Sequence, residues 1–260
     1  MKMKAYVLLP AYNEEQNIKK LIEEWLSHKK DLKEIYNLDL IIMPVDDKST
    51  DNTREIIMQM ESENVKPIYH KENRGLGGGL LTGFTYFLKN ADENDLIFVM
   101  DADNTHDPRY CISMIKKLYD ENLDCVIASR YCENSEIIGV PKHRNFLSSG
   151  AKIYYSLILK IPNVKDYTCG YRVYRYKILK KVFDKYRDEF IKETGFSCMM
   201  EIIYKIHLVG GKIGEVGFVL RYDNKLGESK MKILKTIKNS LCTAIKLRNK
   251  TKHDYIKIKD

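Results

Sequence analysis

The order of apolar and polar positions along the chain predicts strands that alternate with helices. Short apolar runs at residues 4–9, 38–45 and 66–70 are each followed by a segment whose apolar residues recur at helical spacing. Similar runs at 96–100 and 125–129 continue the alternation. Because this order is typical of βαβ units, we predict an α/β fold with a mostly parallel central sheet flanked by helices.

The first predicted helix shows how its faces are assigned. Its apolar residues between Ile18 and Leu26 recur on one side, so we expect Trp25 to lie in the core rather than to stack on a ligand. Asn13, with Gln16 three residues later, has the spacing of a capping box and predicts where this helix begins.

Beyond residue 130 the pattern predicts longer helices and fewer strands. We expect helices at 144–159, 176–188 and 198–209, and strands at 171–174 and 213–221. No linker rich in Pro, Gly or Ser interrupts the chain. We therefore predict one continuous domain over residues 1–229, followed by a basic helical appendage over 230–260.

Polar or charged residues stand just past the ends of the predicted strands. Asp47 follows the second strand, Asp101 the fourth and Arg130 the fifth. Open α/β sheets bind ligands at the carboxyl ends of their strands. We therefore expect the functional site at that edge of the sheet.

The segment Asp101-Ala102-Asp103 carries the most informative chemistry. Two carboxylates two residues apart at a strand exit can direct their oxygens at one divalent cation, which keeps other positions for phosphate oxygens and water. That arrangement suits a nucleoside diphosphate. An isolated Asp-x-Asp also occurs as a solvated turn, so its meaning depends on the surrounding motifs.

The glycine run at 75–79 excludes two familiar nucleotide sites. Leu80 stands where a dinucleotide-binding fingerprint requires a further glycine, and no Gly-Lys-Ser/Thr of a P-loop occurs. What remains is a turn at Gly75 whose backbone N–H groups open a helix where a ribose or phosphate could pass closely. The alternative is a glycine-rich helix entry with no ligand.

Composition narrows the class of protein. Hydrophobic residues make up 44% and charged residues 31% of the 260 positions, which excludes a disordered polyelectrolyte. No apolar run approaches the roughly 20 residues of a membrane span, and no secretory signal precedes Pro10. The six cysteines are scattered without a C-x-x-C pair, so we expect reduced thiols in a cytoplasmic protein.

The net charge of +8 is confined to the C-terminal segment. Residues 229–260 hold ten Lys or Arg and two Asp, whereas the rest of the chain is balanced. This distribution argues against nucleic acid as the partner. Because Ile237, Leu241 and Ile245 recur at helical spacing among the lysines, we expect the segment to lie on an anionic membrane surface. The alternative is a terminal helix docked on the domain.

Seven short motifs follow one another in a fixed order. They are Pro-Ala-Tyr-Asn-Glu at 10–14, Asp-Asp-Lys-Ser-Thr-Asp-Asn-Thr at 46–53, Asn-Arg-Gly-Leu-Gly at 73–77, Asp-Ala-Asp at 101–103, Ser-Arg-Tyr at 129–131, Asp-Tyr-Thr-Cys-Gly-Tyr-Arg at 166–172, and a segment at 221–230 that begins Arg-Tyr and ends Gly-Glu-Ser-Lys. This series resembles the inverting family 2 glycosyltransferases of GT-A fold, and its later motifs resemble the polyprenyl-phosphate sugar transferases. The resemblance covers roughly residues 5–235 and implies a metal-dependent transferase that uses a nucleoside diphosphate-sugar.

The resemblance implies roles for the first motifs. Pro10, Tyr12 and Glu14, with Asp46 or Asp47, would line the pocket for the base and ribose. A carboxylate at a strand end can accept hydrogen bonds from base N–H or ribose O–H groups. For Asp47 the alternative is helix capping, which can coexist with binding.

The resemblance also implies where the diphosphate lies. Asp101 and Asp103 would hold Mg²⁺ or Mn²⁺, with Asp103 among the catalytic residues, and Ala102 and Gly75 would line the same nucleotide site. Thr105 stands where some relatives offer the metal a further polar group. A hydroxyl ligates more weakly than a carboxamide oxygen, which leaves the third protein ligand open.

Two further sets of residues would hold the charged parts of the substrates. Arg221 and Lys230 resemble the loop that closes over the donor diphosphate, where Arg221 would act catalytically on the charge of the leaving group. Arg130, Arg144 and Ser148 resemble the cradle of an acceptor phosphate, and the last two lie one helical turn apart. Their alternative is a set of surface ion pairs.

The acceptor decides whether the reaction needs a base. A phosphate monoester, with a second pKa of about 6, is largely a dianion at neutral pH and can attack without deprotonation. A sugar hydroxyl would instead need a carboxylate to take its proton. Asp166 is the first candidate for that catalytic role and Glu201 the second.

We therefore predict an inverting transferase that moves a hexose, such as mannose or glucose, to a polyprenyl or dolichyl phosphate at the cytoplasmic membrane face. The nearest alternative is a family 2 transferase that adds a sugar to a glycan hydroxyl. A sugar nucleotidyltransferase would need a glycine-rich N-terminal loop, which residues 10–14 do not provide. A non-catalytic module that binds a nucleotide-sugar is the remaining alternative.

Overall fold

The computed structural model describes residues 3–140, 142–224, 226 and 239–249, with side chains for all of these except 142–149. The strands are β1 Met3–Ala11, β2 Leu38–Asp46, β3 Ile68–Tyr69, β4 Leu96–Val99, β5 Cys125–Ser129, β6 Glu136–Ile138, β7 Arg172–Arg175, β8 Ile213–Gly217 and β9 Val219–Arg221. The helices are α1 Ile18–Ser27, α2 Lys29–Tyr36, α3 Thr53–Gln59, α4 Gly75–Asn90, α5 Cys111–Asp120, α6 Lys142–Leu159, α7 Tyr176–Tyr186 and α8 Ser197–Leu208. Residues 239–249 are also helical.

One seven-stranded sheet forms the centre of the molecule, in the order β3-β2-β1-β4-β7-β5-β8. All neighbouring strands run parallel except β7, which is antiparallel to both β4 and β5. The predicted α/β fold with a mostly parallel sheet is therefore confirmed. Strands β6 and β9 pair separately as a short parallel ladder.

The direction of β7 determines which loops meet. Because β7 runs opposite to β4 and β5, its first residue lies at the edge where those two strands end. The loop that precedes β7, residues 160–171, therefore reaches the same edge as the residues that follow β4 and β5. Three of the sequence motifs are brought together by this single reversal.

The core lies where apolar side chains from both faces of the sheet meet the helices. A row of paired residues crosses the sheet at mid-height with no exposed surface on its side chains: Ile42, Val7, Phe98, Val173 and Val126. Trp25 is fully buried and contacts the rings of Phe98 and Tyr171. The prediction that Trp25 is a core residue is confirmed.

The first helix begins later than its capping pattern predicts. Asn13 has a φ of 54°, which lies in the left-handed region and cannot start a right-handed helix. Its carboxamide oxygen instead accepts the N–H of Thr50 at 2.7 Å. The predicted capping box at Asn13 and Gln16 is therefore wrong, and α1 begins at Ile18.

Other strands differ from their predicted boundaries where they pair with residues far away in the sequence. The predicted strand at 66–70 is reduced to the two residues of β3, which pair with the end of β2, while Val65 forms a separate bridge with Ile42. The predicted strand at 213–221 divides into β8, which pairs with β5, and β9, which pairs with β6. Helices α2 and α5 were not predicted.

The C-terminal segment is described only over residues 239–249. Here Ala244 is buried, the Tyr154 hydroxyl of α6 donates to the Leu241 carbonyl at 3.1 Å, and Ser240 contacts Ser197 at 3.2 Å. This stretch is therefore docked on the domain, as the alternative to a membrane-lying helix required. In the part of the chain that is described, no helix is long and apolar enough to cross a membrane.

Candidate active site

The two aspartates of the Asp-x-Asp motif lie on a turn at the carboxyl end of β4. Met100, the last apolar residue, is buried and donates its N–H to the Leu8 carbonyl of β1 at 3.1 Å. Asp101 and Asp103 are half-buried on either side of buried Ala102. The hydrophobic residues thus fix the turn while both carboxylates stay at the surface of the sheet edge.

The carboxylate of Asp101 lies directly against Gly170. A Cβ on Gly170 would stand 2.5 Å from Oδ1 and 2.6 Å from Oδ2 of Asp101. No side chain fits there, so a glycine is required for the carboxylate to occupy this position. The fourth and sixth motifs of the sequence therefore form one contiguous site.

Asp103 is held by a neighbouring hydroxyl. Its Oδ1 accepts hydrogen bonds from the Thr105 Oγ1 at 2.6 Å and from the Thr105 backbone N–H at 3.2 Å. The carbonyl of Thr105 in turn accepts the N–H of Arg221 at 3.0 Å. The backbone of Arg221 is thus beside the Asp-x-Asp turn, and its exposed guanidinium pairs with Asp223.

The donor set suits a hard divalent cation that keeps room for substrate. Among the described residues, no group of three or more His, Cys, Asp or Glu side chains is arranged to hold a metal ion. Asp101 and Asp103 offer carboxylate oxygens, the ligands that Mg²⁺ and Mn²⁺ prefer, and with only two of them most of the coordination shell is left to other oxygens. The residues present therefore fit a metal that is completed by a diphosphate.

A buried ion pair stands at the end of β5. The Nη2 of Arg130 donates to Asp166 Oδ1 at 2.6 Å and its Nε donates to Oδ2 at 2.8 Å. Burial alone would raise the pKa of Asp166, but the charge and hydrogen bonds of Arg130 outweigh it and lower the pKa to about 2. Arg130 keeps part of its side chain exposed, and its Nη2 also contacts the Thr168 hydroxyl at 2.6 Å.

The loop that carries Asp166 is itself anchored. Asp166 Oδ1 also accepts the N–H of Cys169 at 3.0 Å, and Glu215 on β8 accepts the N–H groups of Lys165 and Asp166 at 2.7 and 2.6 Å. A carboxylate with this many donors and so low a pKa is a weak base. The geometry therefore favours Asp166 as the residue that orients Arg130 rather than as a proton acceptor.

Glu201, the second candidate base, has a structural environment. Its side chain is buried on α8 and pairs with Lys205 at 2.5 Å. Its other oxygen accepts the backbone N–H groups of Lys192 and Glu193, both at 3.0 Å. Glu201 therefore holds the loop before α8, and a role as base is not supported.

The two aspartates that end β2 have different surroundings. Both oxygens of Asp47 are engaged, by the N–H groups of Arg74 and Gly75 at 2.8 Å and by His70 Nδ1 at 2.7 Å. Asp47 thus caps the start of α4, which was the alternative to ligand binding. Asp46 is fully buried, and its Oδ2 has no hydrogen-bond partner among the described residues.

The glycine run is explained by close packing. Gly75 has a φ of 70°, and the N–H of Gly77 donates to the Thr194 carbonyl at 3.0 Å. A Cβ on Gly75 would stand 2.6 Å from that carbonyl oxygen, and one on Gly77 would overlap the carbonyl of Glu193. Asp47 takes the N–H groups of Arg74 and Gly75, and the Thr194 carbonyl takes that of Gly77. The expectation that these N–H groups are open to a ribose or phosphate is therefore wrong.

The loop after β1 lies beside these groups. Pro10 is half-buried, and a Cβ on Gly79 of α4 would stand 3.3 Å from its Cβ. Tyr12 is 39% exposed. Glu14 is half-buried, and its N–H donates to the Thr53 hydroxyl at 2.7 Å. The first two motifs are therefore tied together at the edge of the sheet where the Asp-x-Asp turn also lies.

A comparison with known families decides the class of this site. The pattern of the family described as Glycosyl transferase family 2 matches residues 6–183, more than half of the chain. The chain belongs to glycosyl transferase family 2. The predicted family is confirmed, and with it the class of enzyme, a glycosyltransferase.

Named relatives of this family 2 glycosyltransferase include a dolichol-phosphate mannosyltransferase of Pyrococcus furiosus, 31% identical over 88% of this chain and 60% of that protein. An undecaprenyl-phosphate mannosyltransferase of Micrococcus luteus is 26% identical over 88% of each chain. A polyprenol monophosphomannose synthase of Mycolicibacterium smegmatis is 28% identical over 86% of this chain and 80% of that one. The chain thus spans less than two thirds of the length of the Pyrococcus relative.

Solved structures confirm the GT-A fold of this family 2 glycosyltransferase. Glucosyl-3-phosphoglycerate synthase from Mycobacterium tuberculosis, in complex with Mn²⁺, UDP and glucosyl-3-phosphoglycerate, superposes with a TM-score of 0.67, covering 95% of this chain and 80% of that one at 16% identity. Mannosyl-3-phosphoglycerate synthase from Rubrobacter xylanophilus gives a TM-score of 0.65, over 96% and 75% of the chains at 16% identity.

Some predicted site residues of this glycosyltransferase lie outside the described part of the chain. Arg144 and Ser148 are on α6, but their side chains are not among those described. Lys230 lies outside the described residues altogether. Their assignments to the acceptor phosphate and the donor diphosphate stay predictions.

Sequence reasoning missed Asn17, which joins three loops of this glycosyltransferase. The side chain is buried; its Nδ2 donates to Glu14 Oε2 at 2.8 Å and to the Leu226 carbonyl at 3.1 Å. Its Oδ1 accepts the Leu226 N–H and the Asn104 carboxamide, both at 3.3 Å. The only signal in the sequence is a polar residue immediately before the apolar face of α1.

Proposed function

We propose that this family 2 glycosyltransferase moves a hexose, such as mannose or glucose, from a nucleoside diphosphate-sugar to an isoprenoid phosphate, with inversion at the anomeric carbon. The observation that carries the proposal is the position of Arg130. Asp166 orients its guanidinium, and two residues of the same loop, Cys169 and Gly170, contact Asp166 and Asp101. The guanidinium that would bind the acceptor phosphate thus lies close to the turn that would bind the metal, as transfer between two phosphorylated substrates requires.

The donor half of the site would use the groups around the Asp-x-Asp turn. Asp101 and Asp103 would hold Mg²⁺ or Mn²⁺, which when bound neutralises charge on the diphosphate. Arg221 would stabilise charge on the leaving nucleoside diphosphate, together with Lys230. Pro10, Tyr12 and Glu14 would line the base and ribose pocket. The motifs left Asp46 and Asp47 as alternatives for the carboxylate of this pocket, and Asp46 is the one that does not cap α4.

The acceptor half would need to position an anion rather than to activate it. A phosphate monoester dianion can attack the anomeric carbon without losing a proton. Arg130, with Arg144 and Ser148 on α6, would hold its oxygens in line with the bond that breaks. The names of the Pyrococcus and Micrococcus relatives, both polyprenyl-phosphate mannosyltransferases by description, support this acceptor class.

Transfer to a glycan hydroxyl fits the geometry less well. Such a reaction needs a carboxylate that can take a proton, and both candidates are held in ion pairs, Asp166 with Arg130 and Glu201 with Lys205. The low pKa of Asp166 makes it a weak base at neutral pH. The base-free route to a phosphate acceptor is therefore the better match.

A lipid acceptor would bring the enzyme to a membrane surface. The ten Lys or Arg residues of the segment 229–260 supply the positive charge that anionic lipids attract. We place the enzyme at the cytoplasmic face as a peripheral protein.

The donor assignment can be tested by ligand-induced stabilisation. A ligand that binds only the folded protein raises the apparent melting temperature by mass action. We expect GDP or UDP, but not both equally, to stabilise the wild type in a Mn²⁺-dependent manner, and Asp101→Asn to abolish the Mn²⁺-dependent part. Equal melting curves for all nucleotides, with and without Mn²⁺, would contradict the donor class.

A further inference from the structure

The ring of His106 is buried three residues beyond Asp103. It is stacked on Phe218, with ring centroids 5.2 Å apart and planes 18° apart, and it forms a T-shaped contact with Tyr171, whose ring centroid is 5.9 Å away. Each ring nitrogen faces one polar atom. Nδ1 lies 3.1 Å from Thr105 Oγ1, and Nε2 lies 3.4 Å from Cys169 Sγ.

The partners on either side determine the direction of these hydrogen bonds. An ionised carboxylate can only accept, so the single hydroxyl proton of Thr105 points to Asp103 Oδ1, 2.6 Å away. The Thr105 oxygen must then accept from Nδ1–H of His106. With that proton on Nδ1, the Nε2 of a neutral ring is unprotonated and accepts a hydrogen bond from the Cys169 thiol.

The backbone of Cys169 makes a further hydrogen bond on the side of Arg130. The backbone N–H of Cys169 donates to Asp166 Oδ1 at 3.0 Å, and Arg130 Nη2 donates to the same oxygen at 2.6 Å. Asp103 and Arg130, which belong to the proposed donor and acceptor halves of the site, are therefore connected through the imidazole by hydrogen bonds on either side of Cys169.

We propose that His106 is a positioning residue for the metal-binding turn: its Nδ1–H fixes the Thr105 hydroxyl, which holds the Asp103 carboxylate in the orientation that the cation needs. Thr105 then acts on the metal through Asp103 rather than as a third ligand. Partners of metal ligands commonly set ligand orientation in this way. The inference rests on the proposed function, because it takes Asp103 as a metal ligand.

Three substitutions separate the hydrogen bond from the packing of the ring. His106→Asn can place its amide N–H near the position of Nδ1, His106→Gln places its amide near Nε2, and His106→Phe keeps an aromatic ring without nitrogen. Mn²⁺ affinity is measured by titrating Mn²⁺ into purified protein, alone and with GDP or UDP present, and following the free-ion signal by electron paramagnetic resonance. We expect about tenfold or greater loss for the Phe and Gln variants, and partial recovery, to within about threefold of the wild type, for the Asn variant.

Variants at Thr105 provide an independent test should the His106 variants fold poorly. Thr105→Val removes the hydroxyl at equal shape and should weaken Mn²⁺ binding about as much as His106→Phe, while Thr105→Ser should bind nearly as the wild type. The double variant Thr105→Val with His106→Phe should bind Mn²⁺ as tightly as the single variant that has the lower affinity. The two losses should not add, because both substitutions interrupt the same hydrogen bonds.

Val182→Ala, in the core of α7 and outside the hydrogen-bonded path, controls for a general loss of stability. It should lower the melting temperature without changing Mn²⁺ affinity. Wild-type Mn²⁺ affinity in His106→Phe and Thr105→Val, or equal losses in the Asn and Gln variants, would overturn the inference while leaving the proposed function intact. No Mn²⁺ binding by the wild type, either alone or with GDP or UDP present, would overturn the proposed metal site and this inference with it.

Discussion

Asp166 accepts hydrogen bonds from Arg130 with both of its carboxylate oxygens, at 2.6 Å from Nη2 to Oδ1 and 2.8 Å from Nε to Oδ2. The same loop supplies Gly170, against which the carboxylate of Asp101 lies. The guanidinium is therefore oriented by the protein before any acceptor arrives, and it is oriented beside the turn that would hold the metal. Preorganisation of this kind lowers the cost of placing two substrates in line.

Asp166→Asn should change the acid stability of the protein in a defined direction. The folded-state pKa of Asp166, about 2, lies below its ordinary value of 3.8. Its ionised form therefore stabilises the fold at pH values above about 4, and this stabilisation, about 2 kcal/mol, is lost as the pH falls toward 2. The difference in unfolding free energy between the wild type and Asp166→Asn should shrink between pH 6 and pH 3, measured by urea unfolding. A difference that stays constant over this range would contradict the assigned ion pair.

Gly170→Ala should impair the metal site while leaving the fold intact. The new Cβ would stand 2.5 Å from Asp101 Oδ1, so the carboxylate must move. We expect kcat/KM at subsaturating metal to fall by about tenfold or more, because small displacements of groups at the reaction centre lower the rate strongly. Gly195→Ala is the matched control, because a Cβ there meets nothing within 4 Å. Equal activity of the two variants would show that the contact between Gly170 and Asp101 has no role in catalysis.

Arg221→Gln should lower turnover more than stability. Its guanidinium is exposed, so its ion pair with Asp223 contributes little to stability. Its backbone N–H donates to the Thr105 carbonyl. Loss of a cation that stabilises the leaving group should reduce kcat about a hundredfold. Arg109→Gln removes a comparable exposed arginine, paired with Asp107, and should leave kcat near the wild-type value. The role of Arg221 would be refuted by a kcat as high as that of the control.

Glu201→Gln should reduce stability without changing the chemistry. The change leaves the Lys205 ammonium buried without its counter-charge, which costs about 3 kcal/mol in comparable buried pairs. The kcat of the folded fraction and its pH profile should match those of the wild type, because Glu201 anchors a loop and does not accept a proton during the reaction. A loss of kcat with unchanged melting temperature would instead restore Glu201 as a candidate base.

The fold was predictable where the signal was local. Strand β5 was placed at its observed bounds, and β1, β2 and β4 within two residues, because buried parallel strands are short apolar runs bounded by polar residues. The insertion of β7 between β4 and β5 was not predictable, since it depends on pairing with residues more than 40 positions away. Periodicity carries no information about such pairing.

The members of the site were easier to predict than their contacts. The motif order named Asp101, Asp103, Arg130 and Asp166, but spacing could not show that Asp166 pairs with Arg130, 36 positions earlier. The same limit applies to Asp47, whose capping of α4 depends on a helix that begins 28 residues later. Residues act according to their neighbours in space, which a single sequence does not supply.

The acceptor of the sugar provides the most direct test of the central proposal. Purified protein is incubated with radiolabelled GDP- or UDP-hexose and Mn²⁺, together with either a polyprenyl phosphate or an oligosaccharide, with EDTA and Asp101→Asn as controls. We predict a labelled product that extracts into organic solvent, forms only with the polyprenyl phosphate, and is absent in both controls. Label found only in the oligosaccharide, or lipid product formed equally well in EDTA, would contradict the proposal.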